Sequence, residues 1–515
     1  MPAVRNESVE GHVTLAPTPS ISEAEREAGL RRLIYEAGFS SATAALTSGV
    51  ILTAFAIYLG ASNLMVGILA SAPFLSQLLQ APAVLLVERL RRRKTIAVIT
   101  SIIGRSMLAV MAIAVFLPPA LAITSVTLGQ FILCALGAIG GCAWNAWLRD
   151  LAPQDRLGAV MAKRAVYTTS VSLAAGLAAA LLLDQTQAGS ALRAWAFASL
   201  YLVGCATGLV SALVVARLPE PQMPPASGEP LGLFSLLRAP LADANFRRLV
   251  HFLAAWQFAI NLATPFFTVF IVRQLGFDMT FVMVLSVASQ IANLVAIRSW
   301  GALSDRFAHK SVLLVAAPLY ILAIVGMVVA SQLGKSDAGM AYLVGLHLLM
   351  GAAVAGVTLA TANIALKLSP KGEATAYVAT SALVSSLAAG VAPILGGIFA
   401  DFFAARRFEL VLRWTSPNGV AVFSPLGLSQ WDFYFLIAGA LGLYALHRLS
   451  LVQEEGQIDR RAMIEQVWGE AGRVARNLGT VAGLRAVTEF SGSLLHDARL
   501  RARWLRRHRI IAAER

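Results

Sequence analysis

Uncharged, apolar stretches recur along most of the chain, and many reach the roughly 20 residues that a helix needs to cross about 30 Å of hydrocarbon. Only 14% of the 515 residues are charged and 57% are hydrophobic, whereas a soluble domain carries about 25% charged residues. The chain therefore reads as an all-α polytopic membrane protein. The apolar runs predict twelve spans, near 38–59, 64–87, 95–117, 122–148, 164–184 and 194–216, then 249–272, 279–303, 311–331, 339–366, 374–401 and 431–447. Connections such as 60–63 and 117–122 are short, so neighbouring helices must run antiparallel. Residues 1–34 are polar and mixed in charge, without the apolar core and small-residue cleavage site of a signal peptide.

Loop charge orients these spans, because cytoplasmic loops accumulate Lys and Arg. With a cytoplasmic amino terminus, the inner loops hold 17 Lys or Arg and the outer loops six. Both termini are then cytoplasmic. The same bias accounts for the net charge of +14 without nucleic acid as a partner. The 402–430 connection fits least well, being long, arginine-bearing and necessarily outside. Arginine far outnumbers lysine, which suits a bacterial cytoplasmic (inner) membrane. Cys134, Cys142 and Cys205 all fall in apolar stretches, a spacing that builds neither a disulfide framework nor a metal site. No cofactor is expected.

Residues 217–248 interrupt the pattern with a proline-rich segment, "ARLPEPQMPPASGEPLG", that no continuous helix tolerates. The expected organisation is a cytoplasmic segment (1–34), a six-helix bundle (35–216), a cytoplasmic linker (217–248), a second six-helix bundle (249–448) and a basic cytoplasmic tail (449–515). The halves repeat. "VERLRRRK" follows the second span and "SDRFAHK" the eighth, placing Glu88–Arg89 and Asp305–Arg306 217 positions apart. Pro153 and Pro370, preceded by Arg149 and Lys367, stand at the same offset.

"GALSDRFAHK" (301–310) resembles the signature loop of major facilitator superfamily transporters, which lies between the second and third helices and again between the eighth and ninth. Gly301, Asp305, Arg306 and Lys310 match the pattern, while Ala308 stands in place of its second glycine. In the first-half copy Glu88 replaces the aspartate and Arg91 the glycine. "RDLAPQDRLG" (149–158), with Asp150 and Arg156, resembles the loop after the family's fourth helix. The resemblance covers roughly residues 35–448 and implies two pseudo-symmetric six-helix bundles. It further implies that Glu88 serves the eleventh helix and Asp305 the fifth, as a cytoplasmic latch that breaks on inward opening. The alternative is a solvated positive loop without a gating role.

Inside the spans, Arg105 lies near the midplane, where an unpaired arginine is costly and is read as functional by default. Two readings stand: a structural bond to Gln77 or Gln80, or an anion site. Gln130, Gln257, Asn261 and His347 are neutral candidates for substrate contact, since the resemblance places their helices around the cavity. Each could equally be an interhelical hydrogen bond. Trp144 and Trp147 read as interfacial anchors. In the tail, "RLRARWLRRHRII" (499–511) suits an anionic lipid surface. The expected function is secondary or facilitative transport of a small anionic or amphipathic solute by a monomer working through alternating access. A transporter-like sensor or scaffold signalling through the tail is the alternative. No nucleotide-binding loop, HExxH or GxSxG motif supports an enzyme.

Overall fold

The computed structural model describes residues 16–18, 21–151, 154–187, 189–223, 233–370, 374–417, 419–455 and 463–467. The basic stretch 499–511 lies outside them, as does Pro153. The helices are α1 (Glu23–Thr47), α2 (Val50–Tyr58), α3 (Asn63–Gln77), α4 (Gln80–Leu90), α5 (Arg93–Ala114), α6 (Pro119–Leu151), α7 (Gln154–Asp184) and α8 (Ala191–Ala216) in the first half. A short α9 (Leu233–Ala242) ends the linker. The second half holds α10 (Ala244–Val269), α11 (Met279–Phe307), α12 (His309–Leu333), α13 (Asp337–Lys367), α14 (Ala374–Phe403) and α15 (Gln430–Ser450). Between α14 and α15 stands an antiparallel pair, β1 (Arg407–Ser416) and β2 (Gly419–Ser429).

Among the described residues, eleven helices are long and apolar enough to cross a membrane, and twelve when the bent pair α3–α4 is one span. The spans fall where the apolar runs place them, but several helices extend further. α1 starts fifteen residues before position 38 because Ser22 and Glu25 form a reciprocal capping box, which satisfies two otherwise orphaned N–H groups. The first span is broken at Ser48–Gly49, where Gly49 takes φ +57°, a left-handed conformation that glycine adopts without a Cβ clash. The second bends by 41° between α3 and α4. The seventh contains Pro265, which removes one intrahelical bond, and ends in a π-helical turn, Phe270–Gln274.

Packing repeats between the halves. In the first, α5 packs on α6 and α8, and α1 on α7 and α8; in the second, α12 packs on α13 and α15, and α10 on α14 and α15. Buried aromatic rings fill both bundles: Phe55, Phe197 and Tyr201 in one, and Phe266, Phe270, Trp431, Tyr434 and Phe435 in the other. One end of the molecule, the hairpin face, carries β1–β2, and the other, the linker face, carries residues 217–223 and α9.

The 402–430 connection is thus an ordered ribbon rather than an irregular loop. Its register pairs Arg407 with Ser429 and Ser416 with Gly419, with an irregularity between Leu410 and Leu412. Phe408, Leu410, Leu412 and Trp414 alternate with Arg407, Glu409 and Arg413, the period-2 pattern of a strand. The chain is all-helical through its spans, with this ribbon as the β element among the described residues.

Candidate functional site

The halves meet most closely on the hairpin face. α3 packs on α14, α7 on α11 and α2 on α10. Gly67 makes the first of these contacts possible: a Cβ there would stand 2.1 Å from the Pro393 carbonyl oxygen. Above this packing, the carboxylate of Asp184, at the end of α7, accepts from the Met279 and Thr280 N–H groups at 3.0 and 2.6 Å. Asp401, near the end of α14, accepts from the Asn63 and Leu64 N–H groups at 3.2 and 3.0 Å and from the Asn63 side-chain amide at 2.8 Å. Each carboxylate therefore caps the first turn of a helix in the opposite half. Free N–H groups and the positive end of the helix dipole both favour an anion at that position. Arg273, from the π-turn, crosses between the halves beside the second cap and donates to the Ala61 carbonyl at 2.8 Å and to Asn63 Oδ1 at 3.4 Å.

Beneath these caps lies a cavity of about 540 Å³ between the halves. The break at Ser48–Gly49, Pro73 and Phe74 of α3, Thr264, Pro265 and Thr268 of α10, and Ser286 and Ser289 of α11 line it. Gln130, Asn261 and His347 join them, together with Cys134. No Asp, Glu, Lys or Arg is among the lining residues. The Asn261 side-chain amide donates to the Gln257 carbonyl at 2.8 Å and to its side-chain oxygen at 3.1 Å, so Gln257 holds Asn261 rather than lining the cavity. His347 Nδ1 lies 2.8 Å from the Leu343 carbonyl. An oxygen acceptor there requires the proton on Nδ1, which leaves Nε2 to face other partners.

Arg105 is elsewhere. It lines a separate pocket inside the first bundle with Glu36 and Arg164. It donates to the Gly208 carbonyl at 2.5 Å and to Ser40 Oγ at 3.4 Å. Of the two readings, the bond to Gln77 or Gln80 is not made; those two amides bond each other.

The linker face is different in kind. Glu88, Arg89, Asp305 and Arg306 are exposed, and none makes a hydrogen bond or ion pair among the described residues. Arg306 lies 5.0 Å from the Phe307 ring centroid, and Gly301 has open space beside it. Linker-side residues of the helices that pack on the hairpin face are also exposed, among them Leu85, Tyr167, Ile291, Leu294 and Leu387. Lys310 is buried instead of latching the halves: its Nζ donates to the Ser450 and Val452 carbonyls, and its N–H donates to Glu454 at 2.6 Å. Arg93, its counterpart 217 positions earlier, contacts Asp150 at 2.5 Å, donates to the Pro221 carbonyl and gives its N–H to Glu220 at 2.8 Å. Asp150 thus works within its own half. Burial pushes the Glu220 carboxyl up from its ordinary value, against the Lys94 and Arg93 amides and the Arg93 guanidinium. Lys367 pairs with Glu454 at 2.9 Å. Arg156 is on α7, but its side chain lies outside the described residues.

One of the two tryptophans corrects its expected place. Trp147 is fully buried and donates to the Pro219 carbonyl at 2.9 Å, so it is no lipid anchor, and Trp144 is half-buried under the Arg164 guanidinium, 5.5 Å away. Asp184 and Asp401 carry no motif in the sequence, although their separation of 217 positions repeats the offset of the linker-face motifs.

The family model of the Major Facilitator Superfamily matches residues 37–343 and 249–505. No curated protein matches the chain by sequence. Among solved structures, a variant of the nucleoside transporter NupG superposes with a TM-score of 0.60 at 14% identity, covering 82% of this chain and 100% of that one. A D-xylose–proton symporter gives 0.60 at 14% identity, with coverage of 84% and 99%. A bacterial homologue of the iron transporter ferroportin, in an inward-facing state, gives 0.59 at 13% identity, with coverage of 84% and 100%. At such identities the likeness is one of fold.

Proposed function

Because the chain belongs to the major facilitator superfamily, a family of membrane transporters, we propose that its interhalf cavity carries a small, uncharged amphipathic solute by alternating access. The observation that carries this reading is the lining itself: largely apolar walls with Gln130, Asn261 and His347 as fixed polar points and no ionic side chain. A solute with a full charge would leave water without a partner there, at a cost of several kcal/mol. A solute with a few hydroxyl, amide or ring-nitrogen groups would find donors and acceptors at those three residues. The anionic alternative loses its support at this site, since Arg105 belongs to the other pocket.

The linker face is taken as cytoplasmic because its loops carry most of the Lys and Arg. On that orientation the hairpin face is closed by Asp184, Asp401 and Arg273, and the cavity is reached from the cytoplasm. In the opposite state the two hairpin-face caps part. Glu88 and Asp305, now exposed, then meet the starts of the helices across from them. Transport would be driven by gradients.

The test is a thermal-shift screen on purified protein, with uncharged amphiphiles and small anions at matched ionic strength. A neutral compound that stabilises the parent should lose about five- to thirtyfold in affinity with Asn261→Leu or Gln130→Leu, as a buried polar partner is worth about 1–2 kcal/mol. Selective stabilisation by anions alone, unchanged in both variants, would overturn the reading.

A further inference from the structure

The pocket inside the first bundle shares no lining residue with the interhalf cavity. It has a volume of about 240 Å³ and is bounded by α1, α5, α6, α7 and α8. One carboxylate and two guanidinium groups line it. Glu36 is buried; one of its oxygens accepts from Ser211 at 3.0 Å and the other pairs with Arg164 at 2.8 Å. The second terminal nitrogen of Arg164, Nη1, is buried without a hydrogen-bond partner. Arg105 has no acidic oxygen within ion-pair distance among the described residues and rests on neutral oxygens of Gly208 and Ser40. The cluster is therefore one negative charge short of neutrality in a membrane-embedded setting, where an uncompensated guanidinium is expensive.

The repeat shows that the fold itself does not call for these charges. The positions 217 residues on from Glu36, Arg105 and Arg164 hold Leu253, Leu322 and Ser381. The pocket also has room left for an occupant. Gly137 and Gly141, one turn apart on α6, line it with nothing within 4 Å of where a Cβ would stand. At about 30 Å³ per water-sized group, the space takes up to about eight non-hydrogen atoms.

We propose that this pocket is a second binding site, for a small carboxylate such as a short-chain monocarboxylate. The carboxylate would supply the missing negative charge by accepting from Arg164 Nη1 and the Arg105 guanidinium. A guanidinium fork matches a planar carboxylate in a way that a spherical halide cannot reproduce. The bound acid would join α5, α6 and α7 at a point the second half leaves apolar.

The probe is sodium butyrate, titrated into the purified full-length protein by isothermal calorimetry and thermal shift, with sodium chloride at equal ionic strength as control. Saturable binding is expected for the parent, weakened at least tenfold in Arg105→Gln, in Arg164→Gln and in Gly141→Leu, which fills the pocket without touching a charge. Asn261→Leu should leave butyrate binding unchanged, which separates this site from the interhalf cavity. The proposal is overturned by no saturable response in the parent, an equal response to chloride, binding indifferent to Gly141→Leu, or binding abolished by Asn261→Leu. Protein reconstituted in nanodiscs with phosphatidylglycerol provides the lipid arm. Loss of butyrate binding there, with none in zwitterionic nanodiscs, would assign the pocket to an anionic headgroup instead.

Discussion

Asp184 and Asp401 stand 217 positions apart, and each caps the first turn of a helix in the half to which the other belongs. Asp184 of the first half holds Met279 and Thr280, and Asp401 of the second holds Asn63 and Leu64. The same offset relates Glu88 to Asp305 on the linker face, where neither acid makes a hydrogen bond or ion pair among the described residues. A twofold-repeated chain thus carries two pairs of acids, one at each face, and only the hairpin-face pair is closed. That asymmetry within a symmetric architecture is what alternating access requires of one of its end states.

Removing either hairpin-face carboxylate, by Asp184→Ala or Asp401→Ala, leaves at least two N–H groups of a first turn without their anionic acceptor. Each change should cost about 1.5–3 kcal/mol, the range for hydrogen bonds to charged groups. The two sites share no partners, so their effects should add within about 0.5 kcal/mol. Thermal unfolding of the single and double variants in one detergent measures this. A double variant no less stable than the parent would show that the caps contribute nothing.

Gly67 sets how closely α3 and α14 approach, because its missing Cβ is filled by the Pro393 carbonyl. Gly67→Val should hold the hairpin face apart and abolish flux while leaving the helical content unchanged. Flux in proteoliposomes and circular dichroism test the pair of outcomes together. Parental flux in this variant would mean that the two helices need not close.

Ala308 has φ +139° and ψ 152°, a region that residues with a Cβ rarely occupy, at a cost of about 1–3 kcal/mol. Arg91, 217 positions earlier, also has positive φ, at +52°. Both stand where the resemblance calls for glycine. Ala308→Gly should therefore raise the thermal midpoint, with a gain of about 1 kcal/mol or more once the added freedom of the unfolded chain is subtracted. A lower midpoint would contradict the assignment of strain.

Glu454 is fully buried between the start of α12 and Lys367, and accepts from the His309 and Lys310 N–H groups. Glu454→Ala should destabilise the second half by about 1.5–3 kcal/mol, the range for hydrogen bonds to a charged group, since Lys367 is itself half exposed. Glu220 plays the corresponding part for Arg93. Limited proteolysis with mass mapping should then show cleavage appearing first around α12 in the Glu454 variant and around α5 in Glu220→Ala. Identical cleavage patterns would rule out the half-specific role of the two acids.

Much of this was legible beforehand. The length of the apolar runs fixed the spans, and the 217-residue offset of Glu88–Arg89 and Asp305–Arg306 exposed the two halves. Gln130, Asn261 and His347 were reachable from helix identity alone. Gln257 was misplaced because one turn of helix separates a residue facing the cavity from one bracing it. For Arg105, depth follows from counting residues, but its partners do not: the face of the helix, set by packing, gives it Gly208 and Ser40 in place of Gln77 or Gln80. The hairpin-face caps were missed because a lone aspartate at a helix end carries no motif, and its partner N–H groups belong to the other half of the chain. The β-ribbon is less legible because Val411 interrupts the alternation of Arg407–Trp414 and the arginines there dominate the segment's charge.

Cys134 lines the interhalf cavity, and with Cys142→Ala and Cys205→Ala it becomes the single thiol of the chain. Its rate of modification by a membrane-impermeant maleimide, measured in sealed vesicles of each orientation, reports directly on which face is closed. Labelling should be fast from the linker face and slow from the hairpin face. Adding Asp184→Ala with Asp401→Ala should raise the hairpin-face rate by at least about tenfold, as expected for the loss of more than about 1.4 kcal/mol from the closed state. Equal rates from both faces in the parent, or a hairpin-face rate indifferent to the double change, would contradict closure of that face by the two reciprocal caps.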